Sequence, residues 1–227
     1  MLFGETEVKA NIRNRDGKRV FYLGKGHQLT SGAKDYLSRE RIPILPAEQA
    51  KQEIYQLLGG GFCQEKPEHM THLNAQVLVS KTHPRIDFRG KMDLLEAEIM
   101  LCQLVAPSRK AQLEEILGFA RMILRCDVLE EPFTADRLCG LTEDELRQRS
   151  HRPQDYYGQA HFMPSAADGE AILRLNRLRC VVRQAELAAV DAFSDREGLP
   201  TRPDILRAMN RMSSMVWIMM IEMKKSL

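Results

Sequence analysis

The sequence predicts a mainly α protein, a helical bundle carrying a small α/β appendage at its N-terminal end. Three observations predict it. From about residue 85 onward, apolar residues recur at helical spacing in four long segments joined by short connections. Prolines and capping residues punctuate those segments where helices start and stop. Strand-like runs around a tight-turn signal are confined to the beginning of the chain.

Taken in order, EVKANIR and RVFYLG flank NRDGK, so residues 5–23 read as a β-hairpin turning at Asp16-Gly17. LTSGAKDYLSRERI then reads as a short helix capped by Thr30 or Ser31, followed by the strand IPIL. From Pro46, PAEQAKQEIYQLL fits a helix with proline in its first turn and a stop at Gly59–Gly61. A helix through roughly 85–106 is ended by Pro107. The next, SRKAQLEEILGFARMILRCDVLE, sets Leu113, Ile116, Leu117, Ala120, Ile123 and Leu124 on one face. LTEDELRQRSH reads as a short helix capped by Thr142, and RPQDYYGQAHFMPSAADG as a loop. Long helices follow over about 168–194 and 202–225, the last opened by Arg202-Pro203-Asp204.

At 227 residues the chain can bury a sizeable core, and the pattern divides it into an appendage over 1–60 and a helical bundle over 61–227. Charge is nearly balanced, 33 Lys+Arg against 31 Asp+Glu, which argues against a nucleic-acid or membrane surface. No apolar run is long enough to span a bilayer, and the N-terminus lacks a secretory pattern, so a cytoplasmic protein is expected. Five dispersed cysteines read as reduced thiols, mostly in the core. Cys63, His69 and His72 form C-x5-H-x2-H, not a standard zinc spacing and without a clear fourth ligand; no metal is expected there. His151 and His161 read as surface or loop-capping groups. Glycine-rich phosphate loops, nucleophile elbows and HExxH are absent.

Residues 81–100, KTHPRIDFRGKMDLLEAEIM, crowd Lys81, His83, Arg85, Arg89 and Lys91 around a helix start. Such a terminus already favours anions, so the cations suggest a phosphate site, although taken alone the stretch reads first as a well-charged amphipathic helix. Arg89, Lys91, Glu96 and Glu98 acquire no role beyond a solvated face. Further on, Asn176, Arg179, Arg183 and Glu186 form a polar stripe, while Asn210, Ser214 and Trp217 share one face of the last helix with Ser213 beside them. Either Arg183–Glu186 is an ordinary helix ion pair, or the arginines and Asn210 converge on a polyanion that matches the guanidinium fork. The many methionines of that helix read as core filler before they read as a ligand wall.

Three segments together resemble the cobalamin adenosyltransferase superfamily, most closely its ethanolamine-utilisation branch. THLNAQVLVSKTHPRIDFRGKMDLLEAEI is similar to the stretch in which Thr-x-Leu precedes a lysine by ten residues, followed by Pro-Arg, glycine and Asp-x-Leu. VVRQAEL is similar to the Arg-x-x-Glu-Arg motif, and LRAMNRMSSMVWIMMI to the Leu-Asn-Arg-Leu-Ser terminal helix. RPDIL, the SHRP segment and LTSGAKDYL resemble the ethanolamine branch in particular.

The resemblance implies a five-helix bundle that transfers the 5′-deoxyadenosyl group of ATP, with Mg²⁺, to the cobalt of a reduced corrinoid, giving adenosylcobalamin. It implies that Thr71 and Lys81 contact phosphates, and that Arg183 and Asn210 hold the triphosphate and its Mg²⁺ shell. Asp93 is expected to pair with Arg183 across a subunit boundary, and Glu186 to order that network. Phe162 and Met163 are the candidates for an apolar wall at the corrin's lower face. A homo-oligomer is implied, a trimer before a dimer, serving ethanolamine ammonia-lyase or its reactivase, in the cytoplasm or inside a bacterial microcompartment. Departures stand out. The Gly-Asp-x-Gly loop is missing before Thr71, Leu187 replaces the second arginine, and of the branch's His…Cys-Cys-x-x-Cys cluster only Cys63 is present. They leave a non-catalytic corrinoid-binding or delivery protein as the alternative, and a requirement for cysteine-bound metal is not expected.

Overall fold

A computed structural model describes residues 2–15, 18–47, 55–63 and 65–226. The chain divides into two compact units, Met1–Tyr55 with Phe62–Glu65, and Gln56–Gly61 with Lys66–Leu227. Strands in the first unit are β1 (Leu2–Phe3), β2 (Arg13–Arg15), β3 (Lys18–Leu23), β4 (Gln28–Leu29) and β5 (Ile44–Pro46). Its helices are α1 (Glu5–Ala10) and α2 (Ser31–Arg39). β2 pairs antiparallel with β3, β3 parallel with β5, and β1 parallel with β4. Val8, Phe21, Leu29, Ala33, Leu37 and Ile42 fill a small core of their own.

The hairpin expected over 5–23 is shorter than the sequence pattern implied, because residues 5–10 form a turn of helix. Glu5 pairs with Lys9 at 2.7 Å, Glu7 accepts from the Gly4 N–H at 2.5 Å, and Val8 is the helix's one buried residue. These i,i+4 and capping contacts outweigh a weak strand alternation. Asp16-Gly17 lies outside the described residues. Thr30 caps α2 by accepting from the Ala33 N–H at 3.2 Å.

The helix expected over 46–58 is overturned at its end, since Tyr55–Leu57 is a strand, β6; residues 48–54 lie outside the described residues. Gln56 and Leu57 pair in parallel with Val77 and Leu78, and the chain reverses beyond them through Gly60 and Gly61 at φ +97° and +87°. Those angles suit glycine, so the triple glycine turns a strand rather than stopping a helix.

β7 (Phe62–Cys63) belongs to the first unit, and the second continues through β8 (Met70–His72), antiparallel to β9 (Val77–Ser80), and into α3 (Pro84–Val105). Then come α4 (Lys110–Val128), the short β10 (Arg137–Leu138) and β11 (Leu141–Thr142), and α5 (Glu143–His151). α6 (Pro153–Tyr157), α7 (Gly169–Ala192) and α8 (Pro203–Lys225) complete the chain. The loop expected over 152–169 contains α6 because Pro153 sits at its N1 position and Gly158, at φ +69°, closes it. Thr142 caps α5 as expected, and Glu145 completes a capping box with it.

α3, α4, α5, α7 and α8 share one apolar core, making the protein mainly α with a five-helix bundle as its main body. Met209, Met212, Met215, Met219 and Met220 are buried in it, so α8's methionines are core filler. α3 and α7 are antiparallel neighbours: Phe88 meets Phe193 with ring centroids 5.3 Å apart, and Glu98 reaches Arg177 at 2.6 Å. Glu98 is therefore buried and paired rather than solvated, and Glu96 pairs with Arg121 at 2.9 Å.

Asp204, in the first turn of α8, accepts both arms of the Arg202 fork at 3.0 and 2.9 Å and the Phe133 N–H at 2.8 Å. Burial works against its ionisation, but these donors and its own helix start prevail and hold its pKa at about 2, below the ordinary 3.8. A depressed folded-state pKa adds stability above about pH 4 that is lost as pH falls toward about 2. Asp204→Asn should therefore lower the urea midpoint at neutral pH, with the deficit shrinking as acid is added across that window. A deficit independent of pH would exclude carboxylate ionisation as its source.

Candidate functional site

A cavity of about 420 Å³ opens between the end of α5, the chain before α7, and the facing sides of α7 and α8. Ser150, His151, His161, Arg179, Asn210, Ser213, Ser214 and Trp217 line it, a volume in the range of nucleotide-sized ligands. Helical spacing assembles it. Asn210, Ser213, Ser214 and Trp217 occupy the side of α8 opposite its buried methionines, and Arg179 approaches from α7.

Trp217 organises the apolar half. His161 stacks on it at 5.7 Å and 12°, Phe162 at 5.4 Å and 20°, and the Arg179 guanidinium lies 5.0 Å from its ring. His161 and His151 are exposed, as expected of surface or loop-capping groups, and both line the cavity, joined by a contact of 3.2 Å between His161 Nε2 and the His151 carbonyl. Phe162 is half-buried, with Lys224 5.8 Å from its ring, while Met163 stands 89% exposed.

The polar half carries uncompensated positive charge. Arg179 and Arg183 stand one helical turn apart, and among the described residues neither forms an ion pair. Arg179 Nε is buried without a hydrogen-bond partner. Burial, and then the nearby Arg183 charge, pushes the Arg179 pKa down. Two like charges at i,i+4 destabilise a helix unless something negative joins them. Glu186 does not pair with Arg183; it accepts from Asn210 Nδ2 at 2.9 Å, and Arg211 donates to Asn210 Oδ1 at 3.2 Å. The satisfied amide beside the unsatisfied Arg179 Nε, with the exposed Arg183 one turn away, suits a polyanion.

The remaining expected residues lie elsewhere. In the β8–β9 hairpin Thr71 faces Val79, and the Lys81 N–H donates to the His69 carbonyl at 2.9 Å, which sets Thr71 and Lys81 on one face. Lys81 makes an exposed pair with Glu68 at 3.4 Å, a contact worth little. This hairpin leads into α3 at the end of the bundle where Phe88 meets Phe193, about 15 Å along α7 from Arg183. Asp93 is exposed on α3, and among the described residues no ion pair joins it to Arg183. One chain therefore gathers Arg179, Arg183, Glu186 and Asn210, holds Thr71 and Lys81 apart from them, and leaves Asp93 without an ion pair to Arg183.

Thiol chemistry has little support. Burial raises the Cys102 thiol to about 11 and Cys139 to about 12, far from the thiolate form. Among the described residues no group of three His, Cys, Asp or Glu side chains is placed to hold a metal ion.

Trp217 is the chain's single tryptophan, so cavity occupancy has a direct optical readout. Inorganic tripolyphosphate should change its fluorescence saturably, and Arg179→Gln should weaken that binding about tenfold, the loss of one charge-assisted contact. An unaltered titration in the variant would remove Arg179 from the anion site.

A family model described as cobalamin adenosyltransferase matches residues 62–223. The corrinoid adenosyltransferase EutT of Salmonella typhimurium is 33% identical over 241 residues, covering 96% of this chain and 90% of its own length. The corrinoid adenosyltransferase EutT of Escherichia coli strain K12 is 37% identical with the same coverage of both chains. No solved structure matches. With more than half its length inside the family model and near-complete alignment to these relatives, the chain belongs to the cobalamin adenosyltransferase family.

Proposed function

We propose that this protein transfers the 5′-deoxyadenosyl group of ATP to the cobalt of a reduced corrinoid, forming adenosylcobalamin. One observation carries the reading to this chain's own residues: Arg179, with no ion pair among the described residues, lines a nucleotide-sized cavity, and Arg183 stands one turn along the same helix. The reduced cobalt donates an electron pair to the ribose C5′, the cobalt–carbon bond forms as the C5′–O bond breaks, and the polyphosphate leaves with that bond's electrons. Negative charge grows on the leaving oxygens, so fixed guanidinium groups there lower the barrier. The substrate supplies the nucleophile, consistent with the high thiol pKa values of Cys102 and Cys139.

Arg183 and Arg179 hold the triphosphate in this reading, Asn210 orients it, and Glu186 fixes the Asn210 amide through the 2.9 Å bond. Glu186 and Asn210 are oxygen donors of the kind Mg²⁺ takes, and they would hold the ion that accompanies ATP and neutralises phosphate charge. Thr71 and Lys81 supply further phosphate contacts. Met163, free on the surface, and Phe162, stacked on Trp217, form the apolar wall that keeps water from the corrin's lower face. The first 60 residues are the α/β appendage and 61–227 the adenosyltransferase domain. The likeness of RPDIL and SHRP to the ethanolamine branch supports ethanolamine ammonia-lyase as the enzyme served, in the cytoplasm or a microcompartment.

The proposed enzyme is a homo-oligomer, a trimer before a dimer, with Asp93 of one copy orienting Arg183 of another. Two observations support this. Thr71 and Lys81 lie away from the arginine cavity within one chain and Asp93 makes no ion pair with Arg183 there, so a second copy would complete the site. The outer faces of α3 and α7 also expose Leu94, Leu101 and Leu104, and Leu173, Leu187 and Val190, with Leu104 79% and Leu187 70% exposed. Apolar side chains at that density mark interaction surfaces.

The decisive assay combines protein, ATP, Mg²⁺ and reduced cobalamin and follows the cobalt–carbon product spectroscopically. Binding without conversion would select the delivery protein instead. In this assay Asn210→Ala should cost about a hundredfold in kcat/KM with the helical circular dichroism intact, and near-normal turnover would sink the assignment. Leu104→Glu should yield a smaller species on analytical ultracentrifugation and lose activity with it; an active, unchanged oligomer would remove α3 from the interface.

A further inference from the structure

The cations at the start of α3 do something other than meet solvent. Asp127, on α4, is fully buried and lies between two of them: Arg85 Nε reaches its Oδ1 at 2.8 Å and Arg89 Nε its Oδ2 at 2.6 Å. Their remaining donors diverge. Arg85 turns back along α4, donating Nη2 to the Asp127 carbonyl at 2.8 Å and approaching Glu130 at 3.4 Å. Arg89 reaches the other way, donating Nη2 to the Leu73 carbonyl at 2.9 Å and Nη1 to the His72 carbonyl at 3.4 Å. Those carbonyls directly follow Thr71 and open the turn of the β8–β9 hairpin. Within that turn Val77 donates to Asn74 Oδ1 at 3.0 Å, and the Leu73 N–H donates to the Val77 carbonyl at 2.8 Å.

Arg89 thus joins the hairpin to two helices of the bundle at once. We propose that Arg89 is a positioning residue: its fork, anchored on buried Asp127, sets the hairpin at the height where Thr71 and Lys81 meet the triphosphate. This inference rests on the reading of Thr71 and Lys81 given above. The geometry supports it because a guanidinium spans carboxylate and backbone in one rigid plane, which an ammonium cannot do. Arg89→Lys keeps a charge beside Asp127 while giving up the bonds to the two carbonyls. Arg85→Lys weakens the same carboxylate clamp and leaves the hairpin untouched, so it is the matched control for stability alone.

The test measures steady-state kinetics and hydrogen exchange on the full-length protein. Arg89→Lys is expected to raise KM for ATP about tenfold, with kcat and the corrinoid KM within about twofold of wild type, the signature of misplaced binding groups. It should also accelerate amide exchange at Leu73 and Lys81. Arg85→Lys should lower Tm and do neither. Unchanged hairpin exchange in Arg89→Lys, or the same exchange and KM changes in Arg85→Lys, overturns the proposal. Lys81→Ala separates the two readings. If it leaves KM for ATP unaltered while Arg89→Lys accelerates hairpin exchange, the clamp stands and the phosphate role of Lys81 falls.

Discussion

The bundle is organised around one buried charge. Asp127 sits at the inner end of α4 without solvent contact, and an uncompensated carboxylate there would cost several kcal/mol, about 3–5 when a partner is removed. Arg85 and Arg89, four residues apart on α3, compensate it from one helical face. This fixes the rotation of α3 about its axis. Once that is set, Phe88, Met92, Leu95 and Ile99 face the core, Glu98 reaches Arg177, and Leu94, Leu101 and Leu104 face outward. His83 completes the corner: burial, and then Arg85 and Arg89, push its pKa down, and its neutral Nδ1 accepts the Arg85 N–H at 3.2 Å to cap the helix.

Arginine pairs one turn apart thus appear twice, with opposite electrostatics. Arg85 and Arg89 share a carboxylate, are mostly buried, and lock two helices together. Arg179 and Arg183 share no carboxylate, and burial, and then the Arg183 charge, lowers the Arg179 pKa. The first pair is a structural bond already made and the second is one left open. A ligand that closes it must bring its own negative charge, as a triphosphate does.

Most of the bundle was legible because proline, capping residues and helical spacing agree locally with the final packing, as at Thr142-Glu145 and Pro203. Tyr55–Leu57 misled because two of its strand partners, Val77 and Leu78, lie some twenty residues away, where no helical or strand period in the segment itself points to them. Residues 5–10 misled because one buried valine defines neither period. At the site, Asn210, Arg183 and Glu186 could be read from motif and stripe. Arg179 stood in the same stripe, and only its stacking on Trp217 and its unpaired Nε reveal its position. Asp127 carried a usable signal that went unread: with Ile116, Ala120 and Ile123 it falls at 4-3-4 spacing on α4's buried face. His161 could not be placed from sequence, since a stacking contact made by a loop follows from tertiary structure alone.

The methionines of α8 have an evolutionary consequence. The helix presents Asn210, Ser213, Ser214 and Trp217 to the cavity while Met209, Met212, Met215, Met219 and Met220 fill the interior behind them. Unbranched thioether chains re-pack around altered neighbours at small energetic penalty. The cavity face of α8 can therefore accept larger or smaller side chains without disrupting the core beneath it. That mechanical independence makes the last helix the natural place for ligand preference to drift in descendants of this chain, while the Asp127 corner, rigid and charge-bound, resists change.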